Sequence, residues 1–226
     1  MNDADALRRS AAHVVVGDVS VPVLDDAAHH HLTRVLRLRS GDVVTVTDGA
    51  GAWRSCRFAD GAIEIDGEVR LVARREASIT IAFAIPKADR PEWIVQKLTE
   101  LGVDRIVVLH AERSVVRWDD DRAAKHLVKL RRVVLEAIHQ CRAVWLPSIE
   151  GPVDALAVLP GAVAAEPGGR SMRAGDRTIA VGPEGGWSHA ELDAAADRVS
   201  LGSTVLRVET AALTACVRAV ALDSGL

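Results

Sequence analysis

The hydrophobic period of the chain changes near residue 77, and this change constrains the fold more than any other feature. Before it, short apolar segments such as Val43–Thr47 alternate with turns, which is typical of a small β-rich unit. After it, apolar runs such as Ile79–Ile85 alternate with stretches of helical period. Such alternation predicts an α/β fold with a mostly parallel sheet covered on both faces. We therefore expect two domains, 1–76 and 77–226.

The individual elements follow this division. In the first domain, strands are predicted at His13–Val16, Val43–Thr47, Trp53–Phe58, Ala62–Ile65 and Val69–Ala73. Turn residues at Ser40–Asp42, Asp48–Gly49 and Asp66–Gly67 predict hairpins between them. In the second domain, strands are predicted at Ile79–Ile85, Ile106–Leu109, Ala162–Ala165, Thr178–Val181 and Val199–Leu201. Helices are predicted from Pro91 to a stop at Gly102, and from Arg122 to Cys141.

The composition is that of a globular protein, with 49% hydrophobic and 26% charged residues. Three cysteines without a close pair indicate neither a disulfide framework nor a zinc site, which favours a reducing cytoplasm. The sequence shows neither a signal peptide nor a membrane span, so we expect a protein that is not secreted and has no membrane partner.

The net charge of −3 is unevenly distributed. Residues 87–142 contain 12 Lys and Arg against 9 Asp and Glu, whereas residues 143–226 contain 6 against 10. Because phosphate binding depends on a local positive patch and not on the total charge, RNA is an allowed partner.

Two motifs in the first domain have simpler explanations than the functions they suggest. The strand Val43–Thr47 with the glycines that follow it resembles a dinucleotide-binding turn, but the next segment is predicted to be a strand where that motif requires a helix. A hairpin is the better interpretation. Consecutive histidines at 29–31 point in different directions and cannot converge on one ion, so we expect no metal site.

A glycine-rich loop, Gly182-Pro183-Glu184-Gly185-Gly186, follows a predicted strand and precedes a predicted helix. Its glycines allow the backbone to approach a ligand closely. Ser188 can cap the helix, and Glu191 can complete a capping box. An ordinary strand-to-helix turn remains the alternative.

A second glycine loop begins at Leu201-Gly202 and leads into the last helix. Two such loops at the carboxyl ends of neighbouring parallel strands would form a ligand crevice. The charged pair Arg207 and Glu209 opens a helix that is otherwise apolar, and Glu209 alone could be a plain N-terminal helix acid. That helix, 210–222, is apolar almost all round, so it is either inserted in the core of its own domain or shared with a second subunit.

Together these segments resemble the family of 16S ribosomal RNA uracil-N3 methyltransferases, within the SPOUT superfamily of trefoil-knotted enzymes. The resemblance covers nearly the whole chain. It runs through His30-His31-Leu32-x-x-Val35-Leu36-Arg37, Lys87-x-x-Arg90-x-x-Trp93-x-x-Gln96-Lys97, Glu112-Arg113-Ser114-Val115, the loop at 182–186, and Leu201-Gly202-x-x-x-Leu206-Arg207-x-Glu209-Thr210-Ala211. The departures are Trp187 where phenylalanine is commoner, Val208 where threonine is usual, and the segment 167–176, which does not align.

The resemblance implies an N-terminal PUA-like β-barrel, a C-terminal SPOUT domain with a trefoil knot, S-adenosylmethionine (SAM) as cofactor and a homodimer formed through the knotted domain. It implies that the cofactor is held by Gly182, Glu184, Gly185, Gly186, Leu201, Gly202, Leu206, Arg207, Glu209 and Thr210. The expected substrate is 16S ribosomal RNA or the small ribosomal subunit, contacted by Arg34, Arg37, Lys87, Arg90 and Arg113. Each of these five could instead be a solvated surface charge.

Arg207 is the candidate catalytic residue, because a cation near the uracil would stabilise the anion left when the N3 proton departs. Two other functions remain open. A related knotted enzyme would methylate a different RNA position, and a non-catalytic ribosome-assembly module would bind RNA without forming a product.

Overall fold

The computed structural model describes residues 3–87 and 90–225. The chain divides into two compact units. The first comprises the residues up to Arg75 together with Leu135–Leu146, and the second comprises Glu76–Val134 together with the chain from Pro147 onward. Within the described ranges, no helix is both long enough and apolar enough to cross a membrane.

The first unit is built on one five-stranded sheet. Its strands are β1 (Ala12–Val15), β2 (Val43–Thr47), β3 (Ala52–Ala59), β4 (Ala62–Ile65) and β5 (Arg70–Leu71). Its helices are α1 (Asp3–Arg9) and α2 (Asp26–His30), the latter continued by a π-helical turn at His31–Val35. The five predicted strands are confirmed to within a few residues, whereas both helices were missed.

The turns of this sheet differ in part from the prediction. The hairpin at Asp48–Gly49 joins β2 to β3 and is confirmed, which removes the dinucleotide-binding interpretation. The hairpin predicted at Ser40–Asp42 is wrong, because β1 and β2 are parallel. The tight turn that was not predicted is Asp60–Gly61 between β3 and β4, where both residues have positive φ (48° and 88°), as a two-residue hairpin loop requires.

The hairpin predicted at Asp66–Gly67 is also wrong. Both β4 and β5 pair with β3, at successive positions along it, and not with each other. The backbone N–H of Asp66 still donates to the carbonyl oxygen of Ser55 in β3, at 3.2 Å. Asp66 and Gly67 therefore form a bulge in an interrupted edge strand. Aspartate and glycine are as well suited to such a bulge as to a turn.

The second unit contains a six-stranded sheet in which every pairing is parallel. Its strands are β6 (Thr80–Ala84), β7 (Arg105–His110), β8 (Ser148–Asp154), β9 (Val163–Ser171), β10 (Thr178–Val181) and β11 (Asp197–Ser200). The spatial order is β11-β9-β10-β6-β7-β8. The predicted α/β class with a parallel sheet is confirmed. Only β8 was missed, because Gly151-Pro152 interrupts its apolar pattern.

The remaining helical elements are α3 (Arg90–Glu100), α4 (Asp120–Cys141), α5 (Ala155–Val158), a 3-10 turn (Leu159–Gly161), α6 (His189–Ala194) and α7 (Val208–Ser224). The face of the sheet that carries Ala82 and Leu109 packs against residues of α5 and α6. Helix α7 contacts β6 and β10 and packs against α3. The trefoil knot stays a prediction.

The last helix is covered on one side only. Ala212, Ala215 and Cys216 are fully buried, whereas Val217 is 49% exposed. A helix this apolar needs cover on every side. Insertion in the core of its own unit therefore accounts for one face of α7 and leaves the other uncovered by the described residues.

Candidate active site

A cavity of about 220 Å³ lies at the carboxyl ends of β10 and β11 and beside the middle of β9. The loops after β10 and β11 both line it, so the predicted crevice between the two glycine loops is present. The expectation that their strands are neighbours is wrong, because β9 lies between β10 and β11. As a result β9 supplies a third wall, through Ala165, Glu166 and Pro167.

The loop after β10 is shaped by its glycines and by Trp187. A Cβ atom at Gly182 would lie 2.9 Å from the Trp187 ring, so only glycine allows the indole to pack there. The indole is 4% exposed, and its Nε1 donates to the carbonyl oxygen of Ala165 in β9, at 3.2 Å. Gly186 has a positive φ of 70°. These contacts fix the loop against the third wall of the cavity.

The predicted capping box at the start of α6 is confirmed, and it reaches further than predicted. The buried Glu191 carboxylate accepts from the backbone N–H of Ser188 at 2.8 Å, while the Ser188 hydroxyl accepts from the Glu191 N–H at 3.3 Å. The second carboxylate oxygen of Glu191 accepts from the backbone N–H of Glu112, at 2.8 Å. One side chain thus ties the loop after β7 to the loop after β10.

The loop after β11 is more open. A Cβ atom at Gly202 would meet no atom within 4 Å, so packing within the protein does not require glycine there. Leu201 and Leu206 add apolar surface to the cavity. Arg207 is the exposed N-cap residue of α7, and its side chain forms no hydrogen bond or ion pair with any residue in the described ranges.

The structure brings six of the ten expected cofactor residues together. The cavity is lined by Gly182, Glu184, Gly186, Leu201, Gly202 and Leu206. The other four, Gly185, Arg207, Glu209 and Thr210, are adjacent to lining residues in sequence but are not part of the wall.

Two residues expected to contact different partners contact each other. The guanidinium of Arg90, an expected RNA ligand, lies 3.0 Å from the carboxylate of Glu209, an expected cofactor ligand. The second carboxylate oxygen of Glu209 is buried and has no hydrogen-bond partner within the described chain. The first turn of α7 therefore holds a carboxylate that is only half satisfied.

The remaining expected RNA ligands are exposed. Arg34 and Arg37 belong to the first unit, and Lys87 and Arg113 to the second. Arg113 also approaches the glycine loop, with its guanidinium 3.4 Å from the carbonyl oxygen of Gly185. Each is available to a phosphate in this conformation.

Glu166, which also lines the cavity, was not predicted as a residue of the site. It lies in the part of β9 that extends beyond the predicted strand, next to the segment that does not align with the family pattern. The cluster Pro167-Gly168-Gly169 was the available signal, because proline and glycines directly after a strand indicate an irregular backbone at its carboxyl end.

Comparison with known proteins identifies the family. Residues 73–220 match the family model of the RNA methyltransferase domain, and residues 24–69 match that of the RNA methyltransferase PUA domain. The ribosomal RNA small subunit methyltransferase E of Mycobacterium tuberculosis is 31% identical, over 87% of this chain and 84% of that protein. The enzyme of the same name from Synechocystis is also 31% identical, over 88% of this chain and 72% of that protein.

Solved structures of methyltransferases are similar to this chain over most of its length. A Legionella pneumophila protein in complex with the bound cofactor SAM superposes with a TM-score of 0.80 at 26% identity, covering 94% of this chain and 97% of that one. The ribosomal RNA small subunit methyltransferase E of Neisseria gonorrhoeae, bound to S-adenosyl methionine, gives a TM-score of 0.77 at 26% identity, covering 92% and 95%. With a cavity built by the predicted loops and these matches over both units, the chain belongs to the ribosomal RNA small subunit methyltransferase E family.

Proposed function

We propose that this protein transfers the methyl group of SAM to N3 of a specific uridine in the 16S ribosomal RNA of the small subunit. The observation that carries the proposal is the cavity at the carboxyl ends of β10 and β11, which is lined by both glycine loops. Parallel α/β sheets bind ligands at this edge.

The cavity fits SAM in its chemistry. Apolar side chains such as Val181 and Leu206 suit the adenine ring and the methylene groups of the methionine chain, and the open space at Gly202 permits close approach of a ligand. The charged residues that line it, within the described chain, are Glu166 and Glu184, which suit a cationic ligand. When bound, SAM supplies an electrophilic methyl group. We propose that the ten residues of the two loops and the first turn of α7 hold it, together with Glu166.

Arg207 is proposed to act on the substrate. Its guanidinium has no partner among the described residues, and Arg207 lies in sequence between the cavity residues Leu206 and Val208, which supports a place beside a base presented at the cavity. A cation there would stabilise the negative charge that develops on the uracil ring as N3 loses its proton. Arg207→Ala is expected to fold normally and to slow single-turnover methylation about 100-fold or more, with Arg207→Lys retaining part of the rate. Near-normal methylation by the alanine variant would remove Arg207 from the mechanism.

RNA binding is proposed for Arg34, Arg37, Lys87, Arg90 and Arg113, on the family pattern and, for four of them, on exposure. Because contacts to phosphate release counterions, replacing Arg34 and Arg37 by Gln should weaken RNA binding and flatten its dependence on salt. A slope unchanged from that of the wild type would exclude phosphate contacts by this pair.

A homodimer formed through the second unit is also proposed, and it is supported by the uncovered face of α7. We also propose that the protein acts in the cytoplasm, because its three cysteines are free thiols, as is usual in a reducing compartment.

One experiment tests the proposed activity against its two rivals. The protein is incubated with SAM and either small-subunit RNA or small-subunit particles, and the digested RNA is analysed by mass spectrometry. N3-methyluridine is the expected product. A different methylated nucleoside would support a related enzyme with another target, and RNA binding without any product would support a non-catalytic assembly module.

A further inference from the structure

The strand β9 changes its register against β11 beside the cavity. Ala164 pairs with Arg198, but the next pair joins Arg170 to Val199. One step along β11 therefore corresponds to six along β9, and residues 165–169 bulge out of the ladder. Bulges are found next to active sites, where they redirect a side chain.

Glycine makes this bulge possible. A Cβ atom at Gly169 would lie 2.7 Å from backbone atoms of β11, so no other residue allows the two strands to come this close. Gly168 adopts a positive φ of 83°. Glu166 belongs to this bulge, and it lies on the cavity wall.

The Glu166 carboxylate is not neutralised by its surroundings. It is half-buried and makes no hydrogen bond or ion pair with any residue in 3–87 or 90–225. The cation on the same strand, Arg170, is already committed to Asp176 at 2.7 Å and to Asp197 at 2.6 Å. Glu184, the other charged residue of the wall, is exposed and so better screened by solvent.

We infer that Glu166 makes the cavity select the cationic methyl donor over its neutral product. This inference rests on the proposed function. SAM carries one net positive charge at neutral pH, whereas S-adenosylhomocysteine, the product, carries none. In the transfer, uracil N3 forms a bond to the methyl carbon, the C–S bond breaks with its electron pair remaining on sulfur, and the N3 proton leaves to a base or to solvent. The charge that attracts Glu166 therefore disappears in the reaction, and product release is favoured.

Isothermal titration calorimetry on the full chain without RNA tests this inference. The dissociation constants for SAM and S-adenosylhomocysteine are measured for the wild type, Glu166→Gln and Glu184→Gln. We expect the wild type to bind SAM more tightly than the product, and Glu166→Gln to reduce that preference about fivefold. The effect of Glu184→Gln should be smaller, because this side chain is exposed.

Two controls separate charge from other causes. Glu64→Gln makes the same chemical change at an exposed residue of β4, outside the cavity wall, and should leave the preference unchanged. Sinefungin has an amine in place of the sulfonium methyl group, so its affinity should fall with that of SAM in Glu166→Gln although it transfers nothing.

The outcomes are distinct. If both ligands bind Glu166→Gln with the wild-type preference, or if the wild type prefers the product, the inference is overturned while the proposed function stands. If neither ligand binds the wild type, the proposed function falls and the inference with it. Should Glu166→Gln fail to fold, the salt dependence of the wild type tests the inference. A preference for SAM that is based on charge must shrink between 50 mM and 500 mM salt, roughly in step with screening. A preference that stays constant would contradict the inference.

Discussion

His13 is a buried ionisable residue of the first unit. Its side chain is 2% exposed, with Nδ1 2.8 Å from the Thr45 hydroxyl and Nε2 3.1 Å from the carbonyl oxygen of Ala143. Because a carbonyl only accepts, Nε2 carries the proton and Nδ1 accepts from Thr45. Burial lowers the pKa of His13 from 6.5 to about 4, with the charges of His139 and Arg142 adding to the effect. The neutral imidazole therefore ties the segment Leu135–Leu146 to β1 and β2.

The first prediction is a loss of stability in acid. Between pH 6.5 and about 4 the unfolded chain binds a proton at residue 13 that the folded chain does not. The contribution of neutral His13 to the free energy of unfolding is therefore complete above pH 6.5. It falls by up to about 3 kcal/mol as the pH approaches 4. Urea unfolding at several pH values measures this, with His13→Gln as the comparison. His110 and His139, whose pKa values are also lowered by burial, titrate in both proteins, so the difference between the two curves reports His13. Parallel curves would refute the assignment.

At the scale of elements, Glu191 acts as a clamp between two loops at the carboxyl edge of the sheet. Its two carboxylate oxygens accept from Ser188 and from Glu112, each at 2.8 Å, and the residue is 2% exposed. The loop after β7 that is held in this way carries Arg113, whose guanidinium reaches Gly185. The position of a proposed RNA ligand and the shape of a proposed cofactor loop thus depend on the same buried side chain.

The second prediction concerns this clamp. Glu191→Gln keeps the shape of the side chain but offers one acceptor where two N–H groups donate, so it should lower the free energy of unfolding by about 1–3 kcal/mol. Glu112→Gln is the matched control, because Glu112 takes part only through its backbone and its side chain is exposed. It should change stability by less than about 0.5 kcal/mol. Equal unfolding midpoints for Glu191→Gln and the wild type would show that the clamp has no energetic role.

The third prediction separates two glycines of the same cavity. Gly182→Ala forces the Trp187 ring aside and should cost about 1–3 kcal/mol of stability. Gly202→Ala meets no atom within 4 Å and should leave stability within about 0.5 kcal/mol of the wild type. It should nevertheless weaken SAM binding, because its methyl group occupies space on the cavity wall. Thermal unfolding and calorimetry test both, and full SAM affinity in Gly202→Ala would place the ligand away from this loop.

These elements show what the sequence could predict and why the rest escaped. Glycine loops and strands of regular period are local signals, so the cavity and the strands beside it could be foreseen from residues such as Gly186 and Gly202. For Glu166 the only local signal was the cluster Pro167-Gly168-Gly169, which indicates an irregular backbone but not which side chain lines the cavity. The bulge itself is set by pairing between β9 and β11, about thirty residues apart in sequence. That the segment Leu135–Leu146 belongs to the first unit could not be predicted for the same reason, because its Ala143 contacts His13, 130 residues away in sequence.

At the scale of the whole molecule, the exposed apolar face of α7 indicates an interface with another molecule. Val217 is 49% exposed, and Trp93 on the neighbouring helix α3 is 45% exposed. Leu213 and Val220, one turn to either side of Val217, are half-exposed. A second copy of the chain presents the same apolar face, and an interface with twofold symmetry uses each residue twice. This geometry supports the proposed homodimer.

The fourth prediction tests that dimer. Val217→Glu introduces a charge on this face of α7, and a symmetric interface would bury two such carboxylates without partners. The dissociation constant of the dimer should therefore rise at least about tenfold. Leu71→Glu is the matched control, because Leu71 is 82% exposed on β5 of the first unit and should leave the assembly intact. Sedimentation equilibrium at micromolar concentration gives the mass of each protein. A wild type that sediments as a monomer would contradict the proposal, as would a Val217→Glu dimer of unchanged affinity, and α7 would then owe its apolar surface to another partner, such as the ribosomal particle itself.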